Sequence, residues 1–213
     1  TFGSHNIEAQ NPFAGPGQEL SAHLPIIVGM DFNLNPMAWT LGQARNRDFH
    51  FFDEIFLQRS HTEEAAKVLV ERVKGHKPGL ILCGDASGKA GQRAAKAGES
   101  DYAVIKNVLR EAGVSFVDKT PAANPPIKDR VNAFNSACRA ADGTVHFTIS
   151  PRCKHTIKDI QRRKWKEGAA SLAFDNSDPM LGHASDAVSY PVHALAPIKR
   201  ASTMALHIID RSF

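Results

Sequence analysis

Ile26-Ile27-Val28-Gly29-Met30-Asp31 is a short apolar run closed by a carboxylate, and Leu80-Ile81-Leu82-Cys83-Gly84-Asp85 repeats the pattern. Apolar runs of this length, with no helical period, read as strands buried in a sheet. An ionised carboxylate is costly to desolvate unless it is paired or metal-bound. Two acids at the ends of buried strands therefore ask for more than packing. A third, Asp186, lies in His183-Ala184-Ser185-Asp186-Ala187-Val188-Ser189-Tyr190, which reads as a C-terminal helix over about 182–190 stopped by Pro191. Either strand-end acid alone reads better as a loop cap. The three together imply a divalent-metal site and phosphodiester chemistry.

Outward from these runs, Met37 to Ala44 and Phe49 to Leu57 flank the turn residues Arg45-Asn46-Arg47-Asp48, a hairpin pattern. Ser60-His61-Thr62-Glu63 has the form of a capping box. The helix it opens carries Ala65, Ala66, Leu69, Val70 and Val73 on one face and stops at Gly75. After the second buried strand, a Gly- and Ala-rich loop spans 86–99. Ser100 then caps a helix with Val104, Ile105, Val108 and Leu109 on its apolar side, ended by Gly113. Val114 to Val117 is a short strand. Pro125 stands near the start of a helix presenting Ile127, Val131, Phe134 and Cys138, and Thr144 to Ile149 is another strand. A basic helix covers 154–165. This alternation implies an α/β fold, a central mixed sheet with antiparallel first strands and helices on both faces.

The 213 residues, 42% hydrophobic, suffice for one well-buried domain, 25–191. Residues 1–24 read as a linker or irregular arm and 192–213 as a tail. The net charge of +4 is compatible with nucleic-acid binding and does not by itself require it. Cys83, Cys138 and Cys153 are few, odd in number and far apart, which argues against a disulfide framework and for a reducing compartment. No run approaches the length of a membrane span, and the N-terminus is not a signal peptide. A chain beginning at Thr1 is expected to be a fragment.

The chemistry follows from the residue types. Hard cations such as Mg²⁺ and Mn²⁺ take oxygen ligands. Two of them, roughly 3.5–4 Å apart, activate water and stabilise the leaving oxygen of an in-line displacement. His183, three residues before Asp186, shares its helical face and reads as a proton carrier or a group orienting water, with helix capping or packing as its alternative. Gly84-Asp85-Ala86-Ser87-Gly88-Lys89-Ala90 fails as an ATP-binding phosphate loop: its spacing is one residue short, and Ala90 stands where a hydroxyl would bind Mg²⁺. It reads instead as a turn that lets a DNA backbone approach, with Lys89 and Arg93 at the phosphates, or as a solvated loop. Lys154, Lys158 and Arg162 recur every four residues, with Arg152 just before them. They form a helical stripe able to track phosphates independently of sequence, the alternative being a solvated face. Asp53 and Glu54 sit among aromatic residues and read as surface acids, or as a fourth carboxylate for the cluster.

Gly29-Met30-Asp31-Phe32-Asn33-Leu34-Asn35-Pro36, Cys83-Gly84-Asp85-Ala86-Ser87-Gly88 and His183-Ala184-Ser185-Asp186-Ala187 resemble the C-terminal nuclease domain of the large terminase subunit of tailed bacteriophages. Ile127-Lys128-Asp129-Arg130-Val131-Asn132-Ala133-Phe134-Asn135 and Ile149-Ser150-Pro151-Arg152-Cys153-Lys154 also resemble that family, so the likeness covers about 25–190. It implies an RNase H-like fold and a metal-dependent endonuclease cutting concatemeric viral double-stranded DNA with little sequence preference, in the host cell cytoplasm. Its acidic triad falls on Asp31, Asp85 and Asp186. Asp31 is expected to bridge two Mg²⁺ or Mn²⁺ ions, with Asp85 and Asp186 completing one each and Asn33 and His183 orienting ligands or water from behind. The family's N-terminal ATPase domain has no counterpart here, since no Walker A motif is present. The capsid portal and the small terminase subunit are the partners implied for a tail that is basic at Lys199-Arg200. Rival readings are a junction-resolving enzyme or strand transferase of the same fold, an actin-like phosphotransferase half, and a DNA-binding, portal-docking module without cleavage.

Overall fold

The computed structural model describes residues 2–89, 99–166 and 173–198. Among them, β1 (Ile26–Asp31), β2 (Met37–Arg45), β3 (Asp48–Leu57), β4 (Leu80–Gly84), β5 (Phe116–Asp118) and β6 (Phe147–Ile149) form one mixed sheet. Its spatial order is β5-β4-β1-β2-β3-β6. β1, β2 and β3 are antiparallel neighbours. β4 runs parallel to β1, β5 parallel to β4, and β6 parallel to β3. The apolar runs thus become the sheet's central strands, every residue of β1 being buried.

Alternation along β1 assigns its side chains to two cores. Ile26, Val28 and Met30 join Trp39, Leu69, Ile105 and Leu109 beneath α1 (Thr62–Arg72) and α2 (Asp101–Glu111). Ile27 joins Phe51, Phe134, Val188 and Val192 beneath α3 (Ile127–Cys138) and α5 (His183–Leu195). α4 (Lys154–Arg162) contributes Ile157 and Ile160 to this second layer. Asp31 has the parity of Ile27 and therefore opens toward α5.

Gly29 has the same parity, and here the absence of a side chain is required. A Cβ at this position would stand 2.1 Å from the Ala187 carbonyl oxygen of α5. α5 does not stop at Pro191 as the sequence implies; it continues to Leu195 with the proline inside. Proline has no N–H to give the carbonyl four residues earlier, which is that of Ala187. The freed carbonyl lies against Gly29, so helix and central strand meet backbone to backbone.

Other boundaries also move. The capping box does not form: His61 is the N-cap of α1 without a side-chain bond, and Ser60 Oγ instead donates to Glu64 Oε2 at 2.9 Å. β6 begins at Phe147, because Thr144 and His146 are drawn into a turn through Ala140 N–H and Ala137 C=O. β5 starts at Phe116 rather than Val114. Ser100 does cap α2, accepting from Ala103 N–H at 3.2 Å. The arm before β1 is irregular yet anchored. Asn6 Nδ2 donates to Cys138 O and Phe147 O, and buried Gln43 ties Asn11, Ser21 and Leu24 to β2. All three cysteines are free and buried, and burial pushes the thiols of Cys83 and Cys138 up to about 12. No helix among the described residues is long and apolar enough to cross a membrane.

Candidate active site

β1 and β4 are parallel neighbours with Met30 opposite Gly84, so Asp31 and Asp85 leave the same edge of the sheet side by side. Asp85 N–H donates to Met30 O at 3.2 Å, continuing the ladder one step beyond the strand. The first turn of α5 crosses above this edge and brings His183 and Asp186. Burial is the largest influence on Asp31 and raises its pKa; the bond from His183 opposes this, and the charges of Asp186 and Asp85 add to it. The three predicted acids therefore share one electrostatic environment.

Each acid has a distinct set of partners. His183 Nδ1 lies 2.7 Å from Asp31 Oδ2. That bond raises the imidazole pKa, against partial burial. His183 Nε2 is 3.2 Å from Asn33 Nδ2 and 3.2 Å from Pro179 O. Both residues expected to support the acids thus stand behind Asp31. Asp85 Oδ1 accepts from Ser87 N–H at 2.6 Å and from Asn124 Nδ2 at 2.7 Å, while Asn124 Oδ1 receives Ala86 N–H at 2.8 Å. Asp186 is held by two guanidinium groups. Arg163 grips it through Nη1 to Oδ1 at 2.7 Å and Nη2 to Oδ2 at 2.9 Å, and Arg130 Nη1 donates to Oδ1 as well.

Carboxylates also build the scaffold behind the site. Glu54 on β3 receives the N–H groups of His155 and Thr156, at 2.8 Å each, and caps α4. Asp159 on α4 receives the N–H groups of Gly182 and Ala184, at 2.9 Å each, and caps α5. Gly182 sits at φ 105°, a left-handed conformation suited to glycine. Of the two acids considered for a fourth carboxylate, Glu54 caps α4 and Asp53 pairs with Arg72 of α1.

The predicted nucleic-acid contacts fall in two places. Lys89 is exposed beside the Asp85 loop and donates to Thr120 O at 3.1 Å. Arg93 lies outside the described residues, as do Lys199 and Arg200. Lys154, Lys158 and Arg162 are exposed on α4 and make no ion pair among the described residues. Asp159, the acid within this helix, is turned inward and does not neutralise them. Arg152 is partly committed, to Glu19 Oε1 at 2.8 Å.

The donor chemistry fits a hard divalent cation, since three carboxylates surround the end of the central strand. Their placement does not complete a site: among the described residues no group of three or more His, Cys, Asp or Glu converges to hold a metal ion. Asp186 is turned onto Arg163 and Arg130. Neither arginine, nor Asn124 or Asp159, was distinguishable by spacing. Arg130 and Arg163 carried only the weak signal of lying in a family-like segment and a basic run.

No protein-family model matches the chain, and no curated protein matches it. Solved structures do. The large terminase of a thermophilic bacteriophage superposes with a TM-score of 0.62 at 16% identity, over 91% of this chain and 44% of that one. The P22 large terminase nuclease domain gives 0.59 at 16% identity, covering 92% of each chain. The SPP1 large terminase nuclease domain with bound Mn gives 0.52 at 14% identity, over 87% of this chain and 94% of that one. The chain therefore has the RNase H-like fold of large terminase nuclease domains and spans less than half the length of the thermophilic phage's protein.

Proposed function

We propose that this chain is the nuclease domain of a large terminase subunit, an endonuclease cutting concatemeric viral double-stranded DNA during packaging with low sequence specificity. The observation that carries the reading is Asp31: a buried carboxylate at the end of the central strand, flanked by Asp85 and Asp186 and held by His183. Asp31, Asp85 and Asp186 would hold the Mg²⁺ or Mn²⁺ ions, two when DNA is bound. Bound there, the cations would supply positive charge at the phosphate and lower the pKa of water. The protein's own contribution is orientation. His183 fixes Asp31, Asn33 backs His183, and Asn124 fixes Asp85.

The exposed stripe of Lys154, Lys158 and Arg162, with Arg152 and Lys89, would bind backbone phosphates, which accounts for low sequence preference. The manganese in the SPP1 structure supports divalent-metal use. The thermophilic phage's large terminase is longer than this chain and has been solved with ATP-gamma-S and with ADP, which supports a nucleotide-binding motor domain on the same polypeptide. Action in the host cytoplasm, with the portal and small subunit as partners, belongs to the terminase reading itself.

The clamp on Asp186 favours a second reading, a DNA-binding and portal-docking module whose acids are structural. Supercoiled plasmid incubated with Mn²⁺, Mg²⁺ or EDTA, beside a folded Asp85→Ala control, separates the two. Metal-dependent nicking lost in the control supports the nuclease. Salt-dependent binding with no cutting under any metal supports the docking module.

A further inference from the structure

The two arginines on Asp186 are not equivalent. Arg130 is buried and pairs with the Asp186 carboxylate, but it has further partners: it donates to Ser189 Oγ at 2.6 Å and lies 4.4 Å from the centre of the Tyr190 ring. Arg163 follows the last turn of α4 in extended backbone. It lines an open groove of about 210 Å³ with Trp165, Phe174, Ser185 and Asp186. Its neighbours Arg162 and Lys164 continue the basic surface.

Arg163 also carries a feature its present bonds do not use. Its guanidinium carbon lies 3.7 Å from the centre of the Phe174 ring, and Phe174 stacks on Trp165 at 4.3 Å. Trp165 is 39% exposed. A guanidinium on an aromatic face keeps a favourable contact when its hydrogen-bond partner changes. The planar fork binds phosphate and carboxylate with the same paired geometry, so one can replace the other without loss of hydrogen bonds.

We propose that Arg163 is a phosphate-responsive positioning residue: it holds Asp186 until a DNA phosphate entering the groove takes its guanidinium, and Asp186 then turns to the cation beside Asp31 and Asp85. This rests on the nuclease reading above. Phosphate and cation become thermodynamically linked, each raising affinity for the other by the same factor. DNA would thereby complete the site that cuts it.

The test is calorimetric titration of Mn²⁺ into the chain, alone and with a short phosphorothioate duplex that resists cleavage. For the parent, the duplex is expected to tighten Mn²⁺ binding about tenfold, within the usual range of coupling between sites. Arg163→Gln should bind Mn²⁺ about tenfold tighter without DNA and gain little from the duplex, with Arg163→Lys in between. Adding Asp186→Asn to Arg163→Gln should abolish the gain. Arg163 also bonds Gly182 O and Ser185 Oγ, so folding is checked by circular dichroism, and Arg163→Lys carries the test if the glutamine variant unfolds. Equal Mn²⁺ affinity in the parent and the folded variants overturns the proposal, as does a gain that survives Asp186→Asn. Plasmid cutting separates the two readings. Cutting by the parent with unchanged Mn²⁺ affinity in the variants sinks the latch alone. Tighter binding in Arg163→Gln without cutting by any form sinks the nuclease alone.

Discussion

Asp159 Oδ2 accepts the backbone N–H of Ala184 at 2.9 Å, so an acid of one helix caps the helix that carries another acid. With Gly182 N–H at the same distance, the carboxylate satisfies donors that a helix start otherwise leaves unpaired. Asp159→Ala should cost about 2 kcal/mol, the scale of a lost cap plus orphaned buried donors. Cleavage should fall as well, although Asp159 is not among the proposed ligands. Urea melts beside plasmid assays check both; full activity in a folded variant would show that α5 is seated without this cap.

Asp31→Asn should abolish cleavage while melting no lower than the parent. Burial already disfavours the ionised carboxylate, so a neutral isostere removes a cost. His183→Ala should lower the rate by about 10–100-fold, the scale seen for groups that orient metal ligands from behind. Thermal melts and initial rates on plasmid read out the two effects separately, and a cleavage-competent Asp31→Asn would remove Asp31 from the chemistry.

His50 should make the fold acid-sensitive. It is fully buried, and burial lowers its pKa to about 4 from the ordinary 6.5, with Glu8 opposing. Thr148 Oγ1 donates to Phe49 O at 3.3 Å and so accepts from His50 Nδ1–H at 2.9 Å, leaving Nε2 unpartnered. Between these two values the unfolded chain binds the proton and the folded chain does not. Stability is therefore full above pH 6.5 and declines as pH falls toward 4, by up to about 3 kcal/mol. Urea melts across that window should show the slope in the parent and a shallower one in His50→Gln.

Much of this architecture is legible along the chain, for a physical reason. The strands of the centre are apolar at consecutive positions, and the hairpin turn is written in its own residues, Asn46 taking the positive φ that such turns demand. The strand-end acids stand out because charge at the end of an apolar run is unusual. What stayed hidden depends on tertiary partners. Asp159, in a basic helix, looks like a surface acid until α5 is placed over it. Pro191 looks like a stop because nothing nearby in sequence reveals that Gly29 will receive the carbonyl it frees. Arg163 was one cation among many until its aromatic neighbours and Asp186 were located.

The exposed stripe on α4 should govern salt dependence rather than chemistry. Replacing Lys154, Lys158 and Arg162 together by Gln should reduce the slope of log affinity against log salt by about 2.7, if each neutralises one phosphate. Fluorescence anisotropy with a labelled duplex at several salt concentrations measures this. An unchanged slope would move the DNA path off this face.

The meeting of Gly29 with Ala187 has a consequence for how the site can vary. A helix seated by side chains can roll or slide as those side chains are exchanged. Alongside its side-chain packing on Ile27, α5 meets β1 at Gly29 through main-chain atoms, which do not change with mutation of Ala187. That close approach limits how far α5 can roll about its own axis, and with it the side from which Asp186 approaches Asp31. Evolution or design can retune this site more readily by replacing the groups around the acids than by reorienting the helix that brings the third one in.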